Sequence, residues 1–162
     1  MTVYHLAQLN HARMIAPTDD PRVADFMNAL DEINALAEVS AGFVWRLVGE
    51  GNNATDIHFF EDPQLLVNMS VWESVESLYK YAYKSKHADY FARRREWFTR
   101  PEKPSPVLWW VPAKHTPTLA EALARVDHLA EHGPTPHAFN FKKTFTVEEL
   151  LALSEPQEAN EA

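Results

Sequence analysis

Residues 65–98 read LLVNMSVWESVESLYKYAYKSKHADYFARRREWF, and a change of period inside them decides the fold. From Leu65 to Trp72 the pattern has a period of two. Leu66, Asn68, Ser70 and Trp72 share one face of a strand, and Leu65, Val67, Met69 and Val71 share the other. Ser74 is placed to cap a helix, and Ser85 to cap a second helical piece running to about Phe98. On a continuous helix Tyr83 and His87, four residues apart, lie on one face, and a break at Ser85 would loosen that pairing. The wholly apolar strand face is expected to pack on helices. The mixed face is then expected to look away from them, into the interior of a barrel. Asn68, Trp72, Tyr83 and His87 beside an apolar run form either a small-molecule site or an aromatic core with polar edges.

Outward from this stretch the chain supplies three more strands. Residues 3–10 alternate, with Tyr4, Leu6, Gln8 and Asn10 on one face. Residues 43–48 (FVWRLV) and 107–111 (VLWWV) are rich in β-branched and aromatic side chains. Asp20 and Pro21 open a helix whose apolar residues Val23, Phe26, Met27, Leu30, Ile33 and Leu36 keep the helical spacing. Residues 49–64 read as a loop with a short strand near Ile57. Thr118 and Glu121 fit a capping box, a device worth about 1 kcal/mol, ahead of a helix that Gly133 and Pro134 end. A short added strand near Phe139 and one more helix from Thr146 precede a polar tail.

The order is β-α-β-β-α-β plus extra C-terminal helices. This is an α+β, ferredoxin-like plan, an antiparallel sheet with helices on one face. The other face needs cover, and pairing two sheets across a two-fold axis supplies it. Residues 1–145 are expected to form this domain, and residues 146–162 a C-terminal helix and polar tail.

At 162 residues, 46% hydrophobic and 23% charged, the chain has the composition of a globular domain with its own core. It has no cysteine, which removes disulfides, thiolate metal sites and cysteine nucleophiles and fits a reducing compartment. No secretory signal or bilayer-length apolar run is visible, so a cytoplasmic protein without membrane attachment is expected. With 15 basic and 23 acidic residues the net charge is −8, which argues against nucleic acid as a partner. The basic run Arg93-Arg94-Arg95 reads as a helix flank, and His128/His132 as part of a solvated helix face.

The segments GFVWRL, NMSVWES, YKSKH, LWWVP and HGPTPHAF together resemble a bacterial family, a domain of unknown function placed in the dimeric α/β-barrel superfamily. The resemblance covers about residues 3–143. It implies a ferredoxin-like subunit that forms a homodimer through its sheet, and no particular reaction; a small-molecule ligand between sheet and helices is expected beside it. More distantly the chain is similar to antibiotic-biosynthesis monooxygenases, which oxidise phenolic substrates without metal or flavin. Some of these carry the Asn-x-x-x-Trp spacing matched by Asn68 and Trp72. In the haem-degrading relatives a histidine ligates the iron. His87 resembles that ligand in kind, although it lies further from Trp72 than the pattern expects.

The resemblance implies Asn68 orienting a substrate oxygen, Trp72 stacking on a ring, His87 moving a proton and Tyr83 assisting, with no cofactor. Arg46, Trp45, Trp110 and Asn10 are the further candidates for substrate contact. Each has a structural account beside the functional one. Arg46 can pair with an anion or lie at a sheet edge, the tryptophans can be core, and at most one of Trp109 and Trp110 can reach the cavity. A haem-binding protein with His87 as axial ligand, or a dimeric binding module without catalysis, are the alternatives to a cofactor-independent monooxygenase-like enzyme.

Overall fold

A computed structural model describes residues 2–48 and 64–154. The strand expected near Ile57 and the polar tail lie outside the described residues. Four strands, β1 (Tyr4–Arg13), β2 (Phe43–Arg46), β3 (Leu65–Trp72) and β4 (Val107–Pro112), form one antiparallel sheet in the order β2-β3-β1-β4. A 3₁₀ turn, Pro21–Val23, leads into α1 (Ala24–Val39). Three helices then connect β3 to β4: α2 (Val75–Lys84), α3 (His87–Ala92) and α4 (Arg94–Trp97). After β4 come α5 (Leu119–His132) and α6 (Val147–Ser154). The connectivity is the ferredoxin-like βαββαβ plan with C-terminal helices added. Among the described residues no helix is long and apolar enough to cross a membrane.

Local signals set most boundaries. Asp20 accepts a hydrogen bond from the Arg22 amide, with Pro21 at the first position of the turn. Ser74 and Ser77 form a reciprocal capping box at the start of α2. Gly42 ends the α1–β2 turn at φ +85°, and a Cβ there would collide with the Ser77 side chain, so the turn and the α2 cap need a glycine at this point. Thr118 accepts from the Glu121 amide at 3.1 Å as expected. The Glu121 carboxylate, however, does not close the capping box: it takes hydrogen bonds from Trp109 Nε1 at 2.9 Å and from His115 Nε2 at 2.6 Å. Near Phe139 the added strand is reduced to a single bridge, in which Phe139 and Leu108 exchange both backbone bonds.

The two sheet faces are covered by different helices, and the expected arrangement is corrected here. Val67, Met69, Val71, Val107, Trp109 and Val111 pack on Ala122, Val126 and Leu129 of α5. The apolar face therefore does meet a helix, but it is the C-terminal one. The mixed face, Leu66 to Trp72 in steps of two, lies under α1 to α4 instead of looking away from them. Helices thus stand on both faces. Trp109 is wholly buried under α5, and Val107 likewise. The surface on which a second sheet was expected to pair is covered by α5 of the same chain. Burial of one such apolar side chain contributes about 1.5–3 kcal/mol, so α5 is held by its apolar stripe more than by its cap.

Candidate functional site

Between the mixed face and α1–α4 lies a cavity of about 460 Å³, within the range of small-molecule sites. Its floor is the β1/β3 ladder, where Asn10 pairs with Asn68, Gln8 with Ser70 and Leu6 with Trp72. In β3 the residues from Leu66 to Trp72 are all buried except Asn68, which is exposed, as is Asn10 opposite it. A solvent-accessible asparagine pair thus stands on two central strands and lines the cavity.

The floor is a continuous hydrogen-bond ladder. Gln8 Nε2 donates to Asn68 Oδ1 at 2.8 Å and to Ser70 Oγ at 2.7 Å. Trp72 Nε1 donates to Ser70 Oγ at 2.8 Å, and Asn10 Nδ2 donates to Gln8 Oε1 at 3.0 Å. Gln8 and Ser70 are buried, and satisfying their groups inside the ladder avoids a cost of about 1–3 kcal/mol for each orphaned one. The ladder uses up Gln8 and turns the amide oxygen of Asn68 inward. The two N–H groups of Asn68 Nδ2 are left to face the cavity as donors, among the described residues.

His87 supplies the complementary acceptor. It opens α3 just after α2 has ended at Lys84 and Ser85 has turned the chain. Ser85 serves both sides of that break: Oγ donates to the Tyr81 carbonyl and accepts from the His87 amide at 3.2 Å. The His87 ring Nδ1 lies 3.0 Å from the Ala82 carbonyl. A carbonyl only accepts, so Nδ1 holds the proton and the neutral ring keeps its lone pair on Nε2. Burial pushes the His87 pKa down, against the opposing effect of the Ala82 bond, so the ring is neutral at pH 7. Nε2 has no hydrogen-bond partner among the described residues.

The sequence candidates divide. Asn68, His87, Tyr83, Asn10 and Arg46 line the cavity together. Trp72 does not, which corrects its assignment as the ring that stacks on a substrate. It is wholly buried, stacks on Tyr81 at 5.0 Å and anchors the ladder through its indole N–H. Trp45 points to the other face and packs with the α5 core. Trp110 lies outside the cavity, where its Nε1 donates to the Phe145 carbonyl at 2.9 Å. Neither Trp109 nor Trp110 lines it.

Tyr83 and His87 fall on either side of the helix break and meet through Phe91, whose ring lies 5.7 Å from Tyr83. Tyr83 packs against Tyr79 and Phe141, while His87 lies against Tyr81 at 4.9 Å and Phe91 at 6.5 Å. Burial, with Tyr79 adding to it and Arg94 opposing, raises the Tyr83 pKa, so its phenol is a proton donor and not a base. Arg46 lies on β2, the edge strand of the described sheet, and its guanidinium pairs with Glu38 of α1 at 3.0 Å and is almost covered.

Gln8, Ser70, Tyr81, Phe91, Arg94 and Arg95 complete the site and went unrecognised in the sequence. Gln8 carried a usable signal, since it sits two residues from Asn10 on a strand face that must oppose Asn68. Tyr81 had none: its hydroxyl donates to the Ile33 carbonyl at 3.2 Å, a contact 48 residues away in the chain.

A family model, Domain of unknown function (DUF3291), matches residues 5–154. The chain belongs to this family. No curated protein matches it. Among solved structures, the DUF3291 chain is similar to a proposed antibiotic biosynthesis monooxygenase from Nitrosomonas europaea, at 10% identity and a TM-score of 0.48, covering 73% of this chain and 97% of that one. It is also similar to a conserved protein from Methanosarcina mazei Go1, at 15% identity and a TM-score of 0.46, over 68% of this chain and 93% of that one. A protein of unknown function from Nitrosomonas europaea matches at 12% identity and a TM-score of 0.45, over 73% and 97%.

Proposed function

We propose that the cavity over Asn68 binds an aromatic or polyketide-like small molecule and that the protein oxygenates it without a cofactor. The observation that supports this most is the pairing, in one cavity, of a hydrogen-bond donor on Asn68 with a neutral His87 whose Nε2 lone pair is unused. Those two groups suit a phenol or an enolisable ketone. Nε2 takes the acidic proton, and the amide N–H of Asn68 holds the oxygen on which negative charge develops. The carbanion or enolate then gives electrons to O₂. At an activated CH₂ the balance is CH₂ plus O₂ to C=O plus H₂O, with O₂ as the oxidant. Apolar side chains of α1 and α2, among them Phe26, Leu30, Ile33 and Leu78, wall the cavity beside these groups.

Turnover of a panel of hydroxyanthrones and quinols, followed by O₂ consumption, tests this. Removing the Asn68 donor in Asn68→Ala is expected to cost about 10²-fold or more in kcat. Equal rates for wild type and variant would take Asn68 out of the mechanism.

One observation also favours a second reading, axial ligation of haem. An imidazole whose Nδ1 donates to a backbone carbonyl presents Nε2 as a ligand, and His87 fits that role in kind. Hemin added to wild type and to His87→Ala separates the two. A Soret shift that needs His87 would select haem, and its absence leaves the oxygenase reading.

A further inference from the structure

The charge of the cavity wall runs against the charge of the chain. Acidic residues outnumber basic ones by 23 to 15 overall, yet the described lining residues include Arg46, Arg94 and Arg95 and no aspartate or glutamate. Several other described cations are matched: Arg22 by Asp20, Lys86 by Glu32, Arg93 by Asp25 and Glu96, and Lys103 by Asp127. Arg46 is matched too, by Glu38. Arg94 and Arg95 stand on the cavity wall itself. Among the described residues neither has a carboxylate partner, although acidic side chains are abundant on the neighbouring helices. Arg94 donates only to the Phe91 carbonyl at 3.1 Å, and its guanidinium lies 4.3 Å from the centre of the Phe91 ring.

The same Phe91 ring lies 6.5 Å from His87, nearly parallel to it at 21°. A flat molecule that reaches Nε2 of His87 therefore passes along Phe91 toward the Arg94 guanidinium. The floor from Leu66 to Ser70 is five residues of strand, four steps or about 13 Å at the usual rise, which is room for two or three fused rings.

We propose that the ligand of this cavity is an aromatic anion, a fused-ring carboxylate whose acid group is held by Arg94 and Arg95 while its phenol or ketone reaches Asn68 and His87. This rests on the reading of the cavity as a small-molecule site. Arginine suits the task because its planar fork meets a carboxylate with two parallel hydrogen bonds and keeps its charge at any physiological pH. Three guanidiniums and no carboxylate on the cavity wall make it attractive to anions, although the chain as a whole is acidic.

The test compares binding of 1-hydroxy-2-naphthoate and its methyl ester, by calorimetry at low and high salt. The proteins are wild type, Arg95→Gln and the double variant Arg94→Gln/Arg95→Gln. Arg95 is exposed, so its single variant keeps the fold. In wild type the acid is expected to bind about tenfold or more tightly than the ester, as charge-assisted hydrogen bonds imply. That advantage is expected to shrink in Arg95→Gln, vanish in the double variant and weaken with salt, while ester binding changes far less than acid binding. Equal affinities in wild type, or a preference that survives both variants, would overturn the charge inference and leave the cavity reading standing. Failure of both compounds to bind would overturn the two together.

Discussion

Trp109→Ala is expected to lower the unfolding free energy by about 3–5 kcal/mol, the usual cost of deleting a large aromatic from a packed core. Trp109 is wholly buried on β4, within the core cluster that α5 covers. Its loss removes contacts to Ala122 and Val126 and also strips Glu121 of a hydrogen bond. Burial pushes the Glu121 carboxyl up, but the bonds from His115 and Trp109 outweigh it and hold the carboxyl below the ordinary range. With one donor gone, part of that compensation goes as well. Total stability of a domain this size is about 5–15 kcal/mol, so the change is a large fraction of the whole. Thermal unfolding followed by circular dichroism should show a fall of about 6 °C or more. A loss under about 1 kcal/mol would mean that α5 does not seal the sheet, and the face would again be free for a partner.

His87→Ala is expected to reduce kcat/KM for an oxygenated substrate by about 10²–10⁴-fold, the range for a positioned general base. Asn68 and the ladder beneath it stay in place, so binding should change far less than turnover. The pH dependence carries the sign. Because burial lowers the folded-state pKa of His87, its base form persists below the ordinary value near 6.5. Activity should therefore be flat through neutrality and fall only on the acid side of that value. Stability follows the same direction. Once pH drops below the unfolded-state value the unfolded chain takes up the proton first, and His87 makes a contribution to stability that is lost as pH falls toward the folded-state pKa. His87→Phe should flatten that part of the acid limb. An activity profile whose acid limb is unchanged in a still-active His87 variant would remove the residue from the proton transfer.

How far the site was legible depended on whether a residue acts along its own strand or across the chain. The alternation in residues 65–72 fixed which side chains share a face, and Ser74, Asp20 and Thr118 marked helix starts that the fold uses. Alternation cannot say which face a helix will take. Val67, Met69 and Val71 are a good core face for any cover, and only the arrival of α5 assigned them to it. That one misplacement reversed the environment of Asn68 and Trp72. Trp72 shows the same limit in another form. Its spacing from Asn68 pointed to a shared task, and they do share one, but through Ser70 and Gln8 as scaffold and not through a stacked ligand. Arg94 and Arg95 were hidden by sitting in a basic run whose first member, Arg93, is an ordinary flank paired with Asp25 and Glu96.

The account stands or falls on where a ligand sits, and an NMR titration of the ¹⁵N-labelled protein with 1-hydroxy-2-naphthoate reads this directly. At pH 7 the free protein should show His87 as the neutral ring with its proton on Nδ1. Ligand should move the His87 Nε2 resonance and the side-chain amide of Asn68, and leave the indole of Trp109 under α5 unchanged. Shifts confined to α5 and the face beneath it, or an Asn68 amide and His87 ring indifferent to a ligand that binds, would contradict it.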